Sequence, residues 1–426
     1  MNNDERKAPF TRRLFLQRGV TLASAAVTIP SFLQRSALAM TNWDPALSSQ
    51  PGVPEDRILV VVQLAGGNDG LNTVVPYSIG RYYDARKGIA IPENQTLRLG
   101  STGVGLHPKL DGLKSLYDDG LLSVIQGVGY PNPNRSHFKS MDIWHTADTS
   151  GTGRGWLGRY FDNECEGAPQ PDIGVAVGSD SPLAMQGRDV RPVSFDNPDA
   201  FTWRPAQANE RLAETYDGMT EEGVPEHIPE ESSAAFLMRT ALDAKLTSEQ
   251  VRAAVDSKPN ANYPRSELAD QLRMVAAMIR SGMKTRVYYV SIGGFDTHAG
   301  QGGANGRHAN RLNQVGGALR AFMTDLKATG DDERTLSMIF SEFGRRVDQN
   351  ASGGTDHGAA APAFLIGPMV RPGVHGHHPS LTNLDQGDLR YGIDFRSVYA
   401  TVLDRWMGAD ARAVLQRRYP LLNALQ

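Results

Sequence analysis

Ile58-Leu59-Val60-Val61-Val62-Gln63-Leu64 runs directly into Ala65-Gly66-Gly67-Asn68-Asp69-Gly70. The first seven residues are nearly all apolar and rich in β-branched side chains. A strand with one wet face would alternate apolar and polar residues, so this run fits a strand buried on both faces. The glycines end it sharply. In open sheets of parallel strands, ligands bind beyond the carboxyl ends. Asn68 and Asp69 stand at such a place.

Leu121–Val128, Ile173–Val177, Arg286–Ile292, Leu336–Phe340 and Ala363–Gly367 read as further strands. Helical spacing appears around Leu110, Leu113 and Leu116, and over about 136–147, 264–280, 307–327 and 394–407. Strands alternating with helices predict an α/β fold, a mostly parallel central sheet with helices on both faces. Residues 190–262 are rich in Pro, Glu, Asn and Ala and read as a partly helical insertion or cap on the domain 57–426. Residues 40–56, with three prolines, read as a linker.

The 426 residues are 40% hydrophobic and 21% charged, enough chain for a large core. Lys+Arg (44) and Asp+Glu (47) nearly cancel, and no basic run carries interleaved aromatics, so nucleic acid is not an expected partner. One cysteine, Cys165, excludes an internal disulfide and any CxxC site.

Thr11-Arg12-Arg13-Leu14-Phe15-Leu16-Gln17 resembles a twin-arginine export signal. A weakly apolar stretch to Leu33 and the cleavage-type Ala37-Leu38-Ala39 complete residues 1–39 as a signal peptide. That stretch is too short and too polar to span a bilayer. The expected partner is the twin-arginine translocase, and the expected location is periplasmic or secreted, with no membrane span in the mature chain.

Three strand ends and one glycine loop carry metal-type side chains. They are Asn68-Asp69, Phe295-Asp296-Thr297-His298, Ser341-Glu342-Phe343-Gly344-Arg345-Arg346 and Thr355-Asp356-His357-Gly358. Taken singly, Asp69 also fits an N-cap, Asp296-Thr297-His298 an Asx-turn, Glu342 a partner for Arg345 or Arg346, and Asp356-His357 a bonded loop pair. Their coincidence at one edge of the sheet favours a shared divalent ion. Carboxylate with imidazole suits zinc or manganese. GxSxG, HExxH and GxxxxGK[ST] motifs are absent from the sequence.

The stretches LAGGNDGLNTVVPY (64–77), GLHPKL (105–110), GVGYPNPNRSHF (127–138), GGFDTH (293–298), SEFGRR (341–346), GGTDHG (353–358) and DFRSVYATVLDRW (394–406) resemble the bacterial twin-arginine-exported domain of unknown function 1501. That family is placed in the alkaline phosphatase-like superfamily, with sulfatases and phosphomutases. The resemblance implies metal ligands at Asp69, Asp296, His298, Glu342, Asp356 and His357. It also implies a serine nucleophile, matched by Ser136 at a helix start, with His137 as a neighbouring base. Asn68, Arg135, Arg345 and Arg346 are the residues it implies for an anionic small-molecule or glycan ester. Asp296 and His298 are separated by one residue where the superfamily usually has three, and Phe343 stands in place of a ligand histidine. One metal site is therefore expected to be complete and a second weakened. The activity implied is a metal-dependent phosphatase or sulfatase-like hydrolase. The alternative is a secreted binding protein that keeps the fold without catalysis. His375, His377 and His378 form a further cluster that fits either a replacement ligand or an exposed loop, while His107 and His145 read as structural.

Overall fold

The computed structural model describes residues 56–164, 173–178, 181–188, 190, 193–196 and 251–426. The signal segment 1–39, residues 40–55 of the linker and residues 191–192 and 197–250 of the insertion lie outside the described residues. All elements named below belong to one compact unit.

The principal strands are β1 (Ile58–Leu64), β2 (Leu122–Gly129), β3 (Gly174–Val177), β4 (Val193–Phe195), β5 (Val287–Ile292), β6 (Thr335–Phe340), β7 (Ala361–Ile366), β8 (Gly373–His375) and β9 (Ile393–Asp394). Between them lie helices α1 (Asp111–Asp118), α2 (His137–Thr146), α3 (Trp156–Glu164), α4 (Glu267–Arg280), α5 (Arg307–Lys327) and α6 (Phe395–Thr401), the last continuing as a π-turn through Met407. Among the described residues one nine-stranded sheet runs in the order β8-β2-β7-β6-β1-β5-β3-β4, with β9 also pairing β2.

β1 is central, parallel to both β5 and β6, and buried along its whole length. On one face Leu59, Val61, Leu336, Met338 and Phe340 pack with Trp144, Trp156, Phe395 and Tyr399 from α2, α3 and α6. Trp144 stacks on both Phe340 and Phe395, which fixes α2 against the sheet. Val60 and Val62 point to the other face by the alternation of a strand and are equally buried. α4 packs against β5 and pairs with α5. The expected fold class is the observed one.

β7 is the exception to the parallel order, running antiparallel to both β2 and β6. Its direction has a simple cause. Residues 341–360, between β6 and β7, contain no helix to carry the chain to the far edge. An antiparallel neighbour needs no such crossover. The segment therefore leaves from the carboxyl end of β6 and returns to that same edge, carrying Asp356 and His357 with it.

Candidate metal centre

Three connections meet at the carboxyl edge. His137 opens α2, which follows β2; Asp296 and His298 follow β5; Glu342 follows β6; His357 lies on the return into β7. Glycines allow the approach. Gly66 has φ +116°, and a Cβ there would sit 2.6 Å from the Asp296 nitrogen. Gly67, at φ +68°, would drive a side chain into the Phe343 ring.

The three histidines are held alike. His137 Nδ1 lies 2.8 Å from Glu342 Oε1, His298 Nδ1 3.2 Å from Asp356 Oδ1, and His357 Nδ1 2.7 Å from the Arg135 carbonyl. All three partners are acceptors, so each neutral ring carries its proton on Nδ1 and turns the Nε2 lone pair outward. The Nε2 atoms converge on Asp296 Oδ1, at 3.5 Å for His137, 3.1 Å for His298 and 3.2 Å for His357. His298 Nε2 and His357 Nε2 are 2.8 Å apart. His137 Nε2 is buried and has no hydrogen-bond partner.

Lone pairs facing one another and a carboxylate oxygen repel unless a proton on one nitrogen or a metal cation lies among them, and a single proton cannot serve all three nitrogens at once. Donors bound at about 2.0–2.1 Å to a tetrahedral zinc lie about 3.3 Å from one another. The measured separations straddle that value. Among the described residues, the ligand atoms of His137, Asp296 and His357 all fall within 4.8 Å of one another, and His298 stands beside them, in contact with Asp296 and His357. The residues present therefore fit a divalent ion, and a nitrogen-rich set suits zinc better than magnesium or calcium.

Electrostatics support the arrangement. Asp296 is partly desolvated, which alone would raise its pKa, but Arg345 and His357 hold it down to about 2. His137 is raised, chiefly by its bond to Glu342. Burial lowers His357. Asp356 is lowered, first by the bond from Asn350.

The expected residues take distinct places. Glu342 lies behind His137, its Oε1 also accepting from the Gly66 N–H at 2.9 Å and its Oε2 from Ser341 Oγ at 3.0 Å. Asp356 lies behind His298 and accepts from Asn350 Nδ2. Asp69 is fully buried in a separate network, paired with Arg86 Nη1 at 2.5 Å and bonded to Gln301 Nε2 at 2.5 Å. Asn68 is also buried, its Oδ1 accepting from Thr73 Oγ1 and His308 Nε2. Arg345 is buried and donates to the carbonyls of Gly66, Gly67, Phe295 and Thr355 as well as to Asp296. Its donors clamp three loops together. Arg135 is paired with Asp388 at 2.6 Å, and Arg346 Nε lies 3.5 Å from the same carboxylate. Ser136 is the N-cap of α2, exposed, and its hydroxyl makes no capping bond.

Phe343 does not mark a hole where a ligand is missing. Its ring packs against both His137 and His357, with centroids 4.9 Å away in each case. His375 Nε2 and His378 Nδ1 contact backbone carbonyls of Arg371 and Pro379, outside this cluster. His107 and His145 are buried and bonded within the fold, and burial lowers the pKa of each to about 4. Sequence reasoning gave His137 a proton-transfer role and did not place it among the ligands. Its position directly after a helix cap was the available signal.

These features define an α/β protein whose mostly parallel sheet carries a histidine–aspartate cluster at its carboxyl edge. The chain belongs to the family described as "Protein of unknown function (DUF1501)", which matches residues 123–417. No curated protein matches the sequence. Among solved structures it is similar to the C-terminal periplasmic domain of EcEptC from Escherichia coli in complex with Zn. Identity there is 11%, covering 76% of this chain and 77% of that one, with a TM-score of 0.37. It is also similar to the PsFucS1 sulfatase from Pseudoalteromonas sp., at 10% identity, 94% and 74% coverage and a TM-score of 0.35. Alkaline phosphatase from the Antarctic bacterium TAB5 is similar at 10% identity, 74% and 92% coverage and a TM-score of 0.29.

Proposed function

We propose that this protein is an exported, metal-dependent hydrolase of phosphate or sulfate esters, with one divalent ion held by His137, Asp296, His298 and His357. The observation that carries the metal is the convergence of three outward-facing Nε2 atoms on Asp296 Oδ1. A bound zinc or manganese ion would supply Lewis-acid polarisation of the ester's non-bridging oxygens.

The chain's own residues do the rest. Ser136 opens a ten-residue helix directly beside His137, where unpaired backbone N–H groups favour a developing alkoxide. Its free hydroxyl is the proposed nucleophile: Oγ bonds to the phosphorus or sulfur as the bond to the leaving alcohol breaks, and the serine proton passes through solvent water to that alcohol. A water then cleaves the seryl ester to release phosphate or sulfate. His137, held by Glu342, serves as a ligand and does not act as the base. Phe343 keeps water from the back of the His137 and His357 rings. Arg346, partly exposed and only 3.5 Å from Asp388 at its Nε, is less committed than Arg345 or Arg135 and is the guanidinium proposed to meet an anionic ester.

Protein purified without chelators should contain about one equivalent of a divalent ion by elemental analysis, and should cleave aryl phosphates or aryl sulfates. Ser136→Ala should abolish turnover and leave metal content intact. Turnover at the wild-type rate in that variant would remove Ser136 from the mechanism. Export is proposed through residues 1–39. Arg12→Lys with Arg13→Lys should hold the precursor in the cytoplasm, and normal periplasmic levels would refute that route.

A second reading is an exported binding protein without catalysis. It is favoured by Arg345, whose donors are taken by backbone and Asp296, and by Arg135, whose charge is met by Asp388. Metal content with no esterase activity against either substrate class would select it.

A further inference from the structure

Glu342 follows a strand in the place where a metal-binding carboxylate is expected, yet its oxygens are already committed. Oε1 lies 2.8 Å from His137 Nδ1 and 2.9 Å from the Gly66 nitrogen, and Oε2 accepts from Ser341 Oγ at 3.0 Å. The side chain is 1% exposed. Two undivided donors on Oε1, together with a Ser341 hydroxyl that Oε2 shares with the Leu64 carbonyl at 2.7 Å, meet the charge of this buried carboxylate without any ion.

The backbone around it is fixed from the opposite side as well. Ser140 Oγ, one turn into α2, donates to the Glu342 carbonyl at 2.6 Å, and Tyr130 contacts Ser140 at 2.8 Å. Glu342 and the first turn of α2 are therefore joined twice, once by carboxylate to imidazole and once by carbonyl to hydroxyl. The Gly66 bond joins both to the loop after β1. His137 alone among the three histidines has this anchor, since His298 uses a half-exposed Asp356 and His357 a backbone carbonyl.

We infer that Glu342 is the positioning residue of the metal centre: it fixes the His137 ring, holds its proton on Nδ1, and so presents Nε2 to the ion without binding the ion itself. The inference rests on the metal reading above. An anionic partner behind a ligand imidazole raises its basicity and narrows its orientation, and removal of such partners typically weakens metal affinity about 10–100-fold. Glu342→Gln keeps the shape and an acceptor oxygen but removes the charge.

The test is zinc affinity of the full-length mature protein by competition with a chromophoric chelator, with cobalt substitution reporting the ligand set. Wild-type protein that fails to bind zinc would overturn the metal reading itself. With wild type binding one equivalent, Glu342→Gln should bind about 10–100-fold more weakly. Its cobalt visible spectrum should keep wild-type band positions and intensity, because the coordinating atoms are unchanged. Glu342→Asp, which keeps the charge, should bind zinc more tightly than Glu342→Ala, and equal affinity in the two would count against a role for the carboxylate charge. Wild-type affinity in Glu342→Gln would overturn the inference. A changed cobalt spectrum would overturn it in the other direction, by making Glu342 a ligand. Folding is read separately by circular dichroism, and Asp356→Asn serves as a second carboxylate-to-amide variant, expected to lose less affinity because its pair with His298 is half exposed.

Discussion

Asp69 is fully buried against Arg86, whereas Asp296 is 48% exposed among three imidazoles. That difference decides their chemistry. Asp69 Oδ2 is shared by Arg86 and Gln301, and Arg86 in turn holds the Asn72 side chain and the carbonyls of Arg346 and Val347. Burial alone would raise the Asp69 pKa, but the Arg86 charge and hydrogen bond more than reverse this, and the net shift is downward. A lowered carboxylate stabilises the fold fully above its unfolded value, about 3.9, and loses that contribution as pH falls through the folded value. Asp69→Asn leaves a buried guanidinium without its counter-charge and should cost about 3–5 kcal/mol at pH 7. The gap between variant and wild type should narrow as the pH falls below about 4, where the carboxylate begins to protonate in the unfolded chain while the folded one still resists. Urea denaturation at several pH values measures both. A pH-independent gap, or a cost under about 1 kcal/mol, would mean that Asp69 is held by packing and not by charge.

At the scale of elements, the strands were legible because their runs are long, apolar and closed by glycine. β1, β2, β5 and β6 lie within a residue of their expected bounds. The direction of β7 was not legible, because a strand's own residues do not encode the sense of its neighbours. It depends on the connection before it, where residues 341–360 supply no crossover. The motifs after β5 and before β7 could be read as metal-type, and Asp296, His298 and His357 do come together. The division of labour among carboxylates could not be read, since Glu342 and Asp296 differ only in which donors tertiary packing brings to them. The same holds for Arg345. Next to a metal-type carboxylate it reads as an anion clamp, yet four backbone carbonyls from three loops converge on it, and this satisfies acceptors that the turns leave open. α3 is not legible in the sequence because its start, Gly151-Thr152-Gly153-Arg154-Gly155, carries turn residues and no capping signature.

For the whole molecule the question is what joins loops that the sheet alone holds only at their roots. The candidate ligands stand on three separate connections, after β2, after β5 and before β7, and a single cysteine excludes an internal disulfide across them. An unfolded chain cannot gather these donors, so ion binding favours the native state by RT ln(1 + [L]/Kd), about 2.7 kcal/mol when free metal is 100 times Kd. For domains of 150–250 residues, 1 kcal/mol moves Tm by about 2–4 °C, and by less in a longer chain. Chelation of the mature protein should therefore lower Tm by a few degrees, and excess zinc should restore it. His357→Ala removes one donor from the connection into β7. It should melt near the chelated wild type and respond little to either treatment. Differential scanning calorimetry with and without chelator reads this directly. Wild-type protein that melts at one temperature in chelator and in zinc would show that the converging nitrogens bind no ion strongly enough to join the loops. A response retained in His357→Ala would place the ion on other residues.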